Sequence, residues 1–349
     1  MNSLRAVVVC LVIMCAAVVS PAAAVPPAWS ALPVPAAAPP VTVSDLAARG
    51  PGEAWATGYE HAADGLRPML YRWDGRAWNR DATFPGAGER GHLGRVQFVG
   101  KEVWILHDRA GTGQILRRSA EGWSTVPLPQ PLRVQQDFTA VPGAAWVIGE
   151  DGTGLKVWHH DGSGWTAQSM PDGVLYLMGI AARTAGDAWA WADTSTGTAV
   201  LRWDGTQWRD AKVPLPPDSN VHTIVPEPSG RVTIGGSQYT DGAARTYLMT
   251  GDGRTWRTTR PALGDTYTEG MARGPDGALW LPVRSDRAFQ SRYARVHGAR
   301  TTFFYGPQRT DAIDVRPRAL ARAGPALLSF GTVEIYGSKP NLMSERLGG

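Results

Sequence analysis

The feature that most constrains this chain is a phrase it repeats. Trp73-Asp74-Gly75-Arg76-Ala77-Trp78 returns as Asp161-Gly162-Ser163-Gly164-Trp165, as Trp203-Asp204-Gly205-Thr206-Gln207-Trp208 and as Asp252-Gly253-Arg254-Thr255-Trp256. A second anchor precedes each phrase. Trp55, Trp104, Trp146, Trp189 and Trp280 hold it, and Thr233 and Leu328 fill it in two units without an indole. The anchors are spaced 49, 42, 43, 44, 47 and 48 residues apart. A fixed period in this range is the signature of a closed or stacked repeat architecture.

Each unit contains four short runs rich in β-branched and aromatic residues, bounded by Gly, Pro and Asp, and such runs read as strands. Four strands per repeat arranged around a ring make a β-propeller. The Asp-Gly pair is expected to form a two-residue type I′ turn between the third and fourth strands, with positive φ at both central positions. Glu121-Gly122-Trp123 is a shortened form of the turn, and around Val296 to Arg300 the tryptophan is missing.

The two ends of the chain decide the blade count. Trp29-Ser30-Ala31-Leu32-Pro33-Val34-Pro35 matches the fourth-strand phrase Trp123-Ser124-Thr125-Val126-Pro127-Leu128-Pro129. It lies 26 residues before its next anchor, as Trp78 does before Trp104. The C-terminal stretch supplies three further runs and stops at its turn. The expected fold is therefore all-β, a seven-bladed propeller of four-stranded antiparallel blades. The last blade combines residues from about 28–36 and 311–349. Such closure removes free sheet edges.

Residues 1–24 read as a secretory signal peptide. Arg5 is followed by the uncharged run Ala6 to Val19, and Ala22-Ala23-Ala24 offers small residues for cleavage. The apolar run is shorter than the roughly 20 residues a membrane span needs. The bulky Met14 before Cys15 disfavours lipid anchoring. Export with cleavage near Ala24 leaves residues 25–349 as a single secreted domain with no membrane span. Both cysteines, Cys10 and Cys15, fall inside the signal, so the mature domain holds together through its core alone. Its 34 basic and 31 acidic residues form no block of one sign, which excludes a nucleic-acid footprint.

Ala54-Trp55-Ala56-Thr57-Gly58 paired with Trp73-Asp74-Gly75-Arg76-Ala77-Trp78 resembles a family of exported, actinobacterial-type propeller repeats, mostly of unassigned function. The Asp-Gly-x-x-Trp turn is also distantly similar to the Asp-box of sialidases and related propellers. Thr250-Gly251-Asp252-Gly253-Arg254-Thr255-Trp256 comes nearest, one residue short. What the first resemblance implies is architecture; in Asp-box families the box is a structural turn and implies no hydrolysis.

Loops joining second to third strands share a face with the blade-to-blade connections, and the Asp-Gly turns lie on the opposite face. Variable loops on a rigid scaffold are where binding tends to live. Glu60, Asp108, Glu150 and Asp193 fall four or five residues after their anchors, where they could hold a cation or sugar hydroxyls. Tyr239, Arg284, Asp286 and Glu334 join them as candidates on the same loops. The simpler reading of the carboxylates is that they are solvated loop ends.

Catalytic signatures are scarce. The histidines do not cluster as a zinc site requires, and there is no Gly-x-Ser-x-Gly elbow or phosphate-cradling loop. Tyr267-Thr268-Glu269 places a Tyr beside a Glu, as in retaining sialidases, but a strand residue alternating in and out of a core explains it more simply. A mature domain without cysteine excludes the cross-linked tyrosine of galactose-oxidase-type propellers. No cofactor and no metal are expected. The expected function is a non-catalytic exported propeller that binds an extracellular or cell-envelope glycan or protein through the loop-rich face. The alternatives are a glycan hydrolase or lyase drawing on Glu60, Asp108, Glu150, Asp193 or Glu269, and a purely structural surface protein.

Overall fold

The computed structural model describes residues 28–109, 111–128, 132, 134–150, 152–264 and 270–348. The signal-peptide assignment, Asp151 and the Tyr267-Thr268-Glu269 stretch lie outside the described residues. The described chain forms seven four-stranded antiparallel sheets and no helix. Blades 1 to 6 are continuous, spanning 41–80, 92–127, 134–168, 174–210, 219–259 and 272–305. Blade 7 is composite. Ala312–Ala323, Ala326–Ile335 and Asn341–Leu347 are completed by Trp29–Leu32, in the register Trp29↔Leu347 to Leu32↔Ser344.

The core sits in the seams between blades. Each of the seven larger apolar clusters joins two neighbouring sheets; one gathers Trp146 and Ile148 of blade 3 with Ile180 and Trp203 of blade 4. Most anchors serve these seams. Trp55, Trp146, Trp189, Thr233, Trp280 and Leu328 are at most 2% exposed, and Trp104 is half-buried. Across the sheet, the tryptophan anchors face a basic or imidazole side chain: Arg72, Arg117, His159, Arg202 and Arg295.

The Asp-Gly turns differ from the two-residue form expected. The flanking pairs are Trp73↔Trp78, His160↔Trp165, Trp203↔Trp208 and Gly251↔Trp256, so each loop holds four residues. Only the glycines take positive φ, from 89° at Gly253 to 100° at Gly205. The aspartate acts through its side chain instead. Asp204 Oδ1 accepts the N–H groups of Thr206 and Gln207, both at 3.0 Å, and Asp74, Asp161 and Asp252 repeat the pattern. A carboxylate that accepts two backbone N–H groups closes the loop without a strained αL aspartate. The Thr206 hydroxyl and these N–H groups hold the Asp204 carboxyl down at about 2. A turn with both central φ positive does occur, at Asp241-Gly242 on the opposite face.

Candidate functional site

The first strands of blades 1 and 3 carry half-buried and buried carboxylates that reach the next blade. Asp45 of blade 1 accepts the N–H of Val96 in blade 2 at 3.0 Å, and Asp137 of blade 3 accepts the N–H of Ile180 in blade 4 at 2.9 Å. Arg95 reaches from blade 2 to Asp137, 3.1 Å away, and donates to the Ile180 carbonyl at 2.6 Å. Burial pushes both carboxyls above the ordinary range, and the Arg95 charge pulls them back. Each aspartate follows a break in strand register, which turns its side chain toward the next blade. These residues stitch neighbouring blades together. Sequence reasoning missed them, although Asp45 and Asp137 both sit nine or ten residues before an anchor.

The predicted loop carboxylates lie at the ends of second strands, one strand out from the axis. Glu60 is buried and already bonded, accepting Arg80 at 2.7 Å and the Ala38 N–H at 3.0 Å. Asp108 caps its own loop by accepting the Gly111 N–H at 2.7 Å, with His92 Nδ1 at 3.9 Å. Beside it His107 is fully buried against Gln114 (3.1 Å), and burial followed by the Arg109 charge brings its pKa down to about 4. This imidazole is neutral at physiological pH. Glu150 is exposed at the end of Ala144–Glu150, and Asp193 pairs in register with Tyr176.

The remaining candidates lie on blades 5 to 7. Tyr239 and Arg284 are exposed. Asp286 accepts the Tyr305 hydroxyl at 2.8 Å and faces Arg292 at 3.5 Å, and the two together hold its carboxyl below the usual range. Glu334 is half-buried and lines a groove of about 290 Å³ between blades 7 and 1, beside Arg316 and His61. Among the described residues, no three His, Cys, Asp or Glu side chains are gathered as metal ligands.

A feature without any sequence signal is the distribution of exposed apolar side chains. Leu175, Tyr176, Met178, Tyr239, Phe289, Ile313, Ile335 and Tyr336 are the large apolar residues that stand exposed among the described residues, Tyr336 at 84%. All eight belong to the loop-rich side, at the starts of innermost strands or on second-to-third-strand loops, and all lie on blades 4 to 7. Leu175, Tyr176 and Ile313 stand near the starts of the first strands of blades 4 and 7. Blades 1 and 2 instead present charge there, in Asp64 with Arg67 and in Glu89 with Arg109. Periodicity could not separate these residues from core, because a strand's inward and outward positions carry the same apolar types.

Among the described residues no helix is long and apolar enough to cross a membrane. No protein-family model matches the chain, and none of the curated proteins does. Solved structures do. YCF48 bound to D1 peptide is similar over 90% of this chain and 96% of its own, with a TM-score of 0.59 and 16% identity. The β-propeller domain of the Trilobed protease from Pyrococcus furiosus, described as having an open velcro topology, is similar over 88% of this chain and 94% of its own, with a TM-score of 0.55 and 9% identity. The GH74 xyloglucanase from Xanthomonas campestris has a TM-score of 0.52 and 16% identity over 90% of this chain, which spans only 55% of that enzyme. At these identities the likeness is one of fold, and the fold is the seven-bladed β-propeller.

Proposed function

We propose that this chain is an exported, non-catalytic propeller that binds a segment of an extracellular or cell-envelope partner on its loop-rich face. The observation that carries this reading is the confinement of the large apolar side chains exposed among the described residues to that face, on blades 4 to 7. Exposed apolar residues concentrated on one side of a soluble domain mark an interaction surface. Leu175, Met178, Ile313 and Ile335 suit an apolar polypeptide, and Tyr176, Tyr239, Phe289 and Tyr336 would serve a polypeptide as well as a sugar ring. A propeller of the same fold, YCF48, is described as bound to a peptide, and that is consistent with the reading.

A hydrolase is less well supported. Of its candidate carboxylates, Glu60 is engaged by Arg80 and the Ala38 N–H and Asp108 by the Gly111 N–H, which leaves these two poorly placed as a general acid or base. The N-terminal run Ala6 to Val19 and the repeat's resemblance to exported propellers support secretion.

The test is selection of ligands for the full chain from a displayed peptide library and a glycan array in parallel. Apolar peptides are expected to be selected, and Tyr176→Ser combined with Tyr336→Ser should weaken them by at least about tenfold, the loss of one or two buried aromatic contacts. Selected ligands that the double variant binds equally well would remove this face from consideration. A bound glycan cleaved on incubation would restore the hydrolase reading.

A further inference from the structure

On the opposite, Asp-Gly face, an open groove of about 880 Å³ lies in the seam between blades 1 and 2. Its lining carries five cationic side chains against three carboxylates. What distinguishes it is which cations are already neutralised. Four arginines stand across the sheet from a tryptophan anchor. Arg117 is bonded to Glu102 at 2.6 Å, Arg202 to Asp187 at 2.9 Å and Arg295 to Asp276 at 2.6 Å. Arg72 has no carboxylate partner among the described residues. The acid in the corresponding place, Glu53, is turned to Arg49 and to the Trp55 indole N–H, 3.3 Å away.

Arg72 therefore lies over the Trp55 ring, 5.6 Å from its centroid, with its hydrogen-bonding edge unused among the described residues. Arg118 does the same over Trp123 at 5.7 Å. The two rings meet edge to face across the seam, with centroids 5.8 Å apart at 85°. One aromatic pair thus holds two guanidinium groups without a carboxylate partner among the described residues at the same groove, and exposed Lys101 on the neighbouring turn has no ion pair among them either. The seam between blades 4 and 5 repeats the aromatic pair, Trp189 with Trp256 at 6.1 Å and 82°, but its Arg202 is bound to Asp187. The matching aromatic pair between blades 4 and 5 therefore lacks the unneutralised arrangement.

We propose that this seam binds an oxyanion-bearing polymer through Arg72, Lys101 and Arg118. A guanidinium fork pairs with two oxygens of a phosphate or carboxylate at once, and stacking on an indole restricts the fork before the ligand arrives. The groove is open and exceeds the volume of a single ion, which fits a chain carrying several such groups. This site is separate from the loop-rich face, so it stands or falls independently of the function proposed above.

The full chain is titrated with sodium tripolyphosphate and with oligogalacturonate at physiological ionic strength, followed by calorimetry and tryptophan fluorescence. Binding in either arm is expected, the responding arm naming phosphate or carboxylate as the group recognised. Arg72→Gln with Arg118→Gln should weaken it at least about tenfold, since a charge-assisted hydrogen bond contributes more than a neutral one. Lys101→Gln, at an exposed turn and harmless to folding, should weaken it about threefold. Arg202→Gln should leave it unchanged. No binding in either arm overturns the proposal, and so does binding that Lys101→Gln and the double variant leave intact.

Discussion

Trp29→Ala is expected to destabilise the protein by about 3–5 kcal/mol, the cost of truncating a buried indole. The ring is 5% exposed and lies outside the continuous blades, on the strand that completes blade 7. It stacks on Tyr293 of blade 6 with centroids 3.8 Å apart at 17°, and meets Trp280 edge-on at 6.1 Å. Its removal therefore empties the seam at the point where the two ends of the chain meet. No flexible neighbour can refill the space, because Trp280 and Leu327 are themselves packed to within 2% of full burial. Urea denaturation followed by circular dichroism measures the loss. A change below about 1 kcal/mol would show that the N-terminal strand is not part of the cooperative core.

Glu345→Gln is expected to cost a comparable amount, about 3 kcal/mol or more, because removing one partner of a buried ion pair strands the other. Glu345 has no solvent exposure. It accepts Ser291 and Arg309 at 2.5 Å each and Tyr293 at 2.7 Å, so its carboxylate is saturated by donors from blade 6 and the connection into blade 7. A carboxamide replaces an accepting oxygen with an N–H₂ that faces those donors. Gly306 leaves no slack, since a Cβ there would lie 2.0 Å from Ser291 Oγ. Burial, and then the Glu345 charge, push the Tyr293 hydroxyl well above its ordinary pKa, which keeps it a donor. Arg309→Met in the Glu345→Gln background should recover part of the loss in the same urea experiment. If the single variant unfolds like the parent, the carboxylate is not holding the seam.

The architecture was legible because it is written many times. Anchor spacing, the four runs per unit and the likeness of Trp29–Pro35 to Trp123–Pro129 are all properties of residue type and separation. Together they lead to seven blades with a composite last one. The turn chemistry was less legible. Asp-Gly is compatible with a two-residue loop, and Asp241-Gly242 forms one, but Asp74, Asp161, Asp204 and Asp252 use their carboxylates to cap four-residue loops. Pair identity alone does not determine loop length.

The candidate sites were least legible, for reasons of partnership. Glu53 and Glu102 occupy the same place two residues before an anchor, yet one binds Arg49 and the other Arg117. Arg49, four residues before Glu53 at the end of Val41–Gly50, reaches that carboxylate, whereas Phe98 stands four residues before Glu102. Glu60 reads as a loop carboxylate, and only the fold shows Arg80 and Ala38 closing on it. The exposed apolar residues of blades 4 to 7 carry no periodic signature at all, since their exposure is set by what the loops leave uncovered.

The central claim, that the segment around Trp29 completes a sheet begun by the last part of the chain, can be tested by a cross-link. Ser30 lies opposite Arg346 in the register of that sheet, and its hydroxyl donates to the Arg346 carbonyl at 3.3 Å. Directly opposed strand residues are within disulfide range. In a chain with Cys10→Ser and Cys15→Ser, the pair Ser30→Cys and Arg346→Cys should oxidise within the monomer to near completion. The product should run faster on a non-reducing gel and melt at a higher temperature than its reduced form. Two free thiols after oxidation, or disulfides found only between molecules, would contradict the closure.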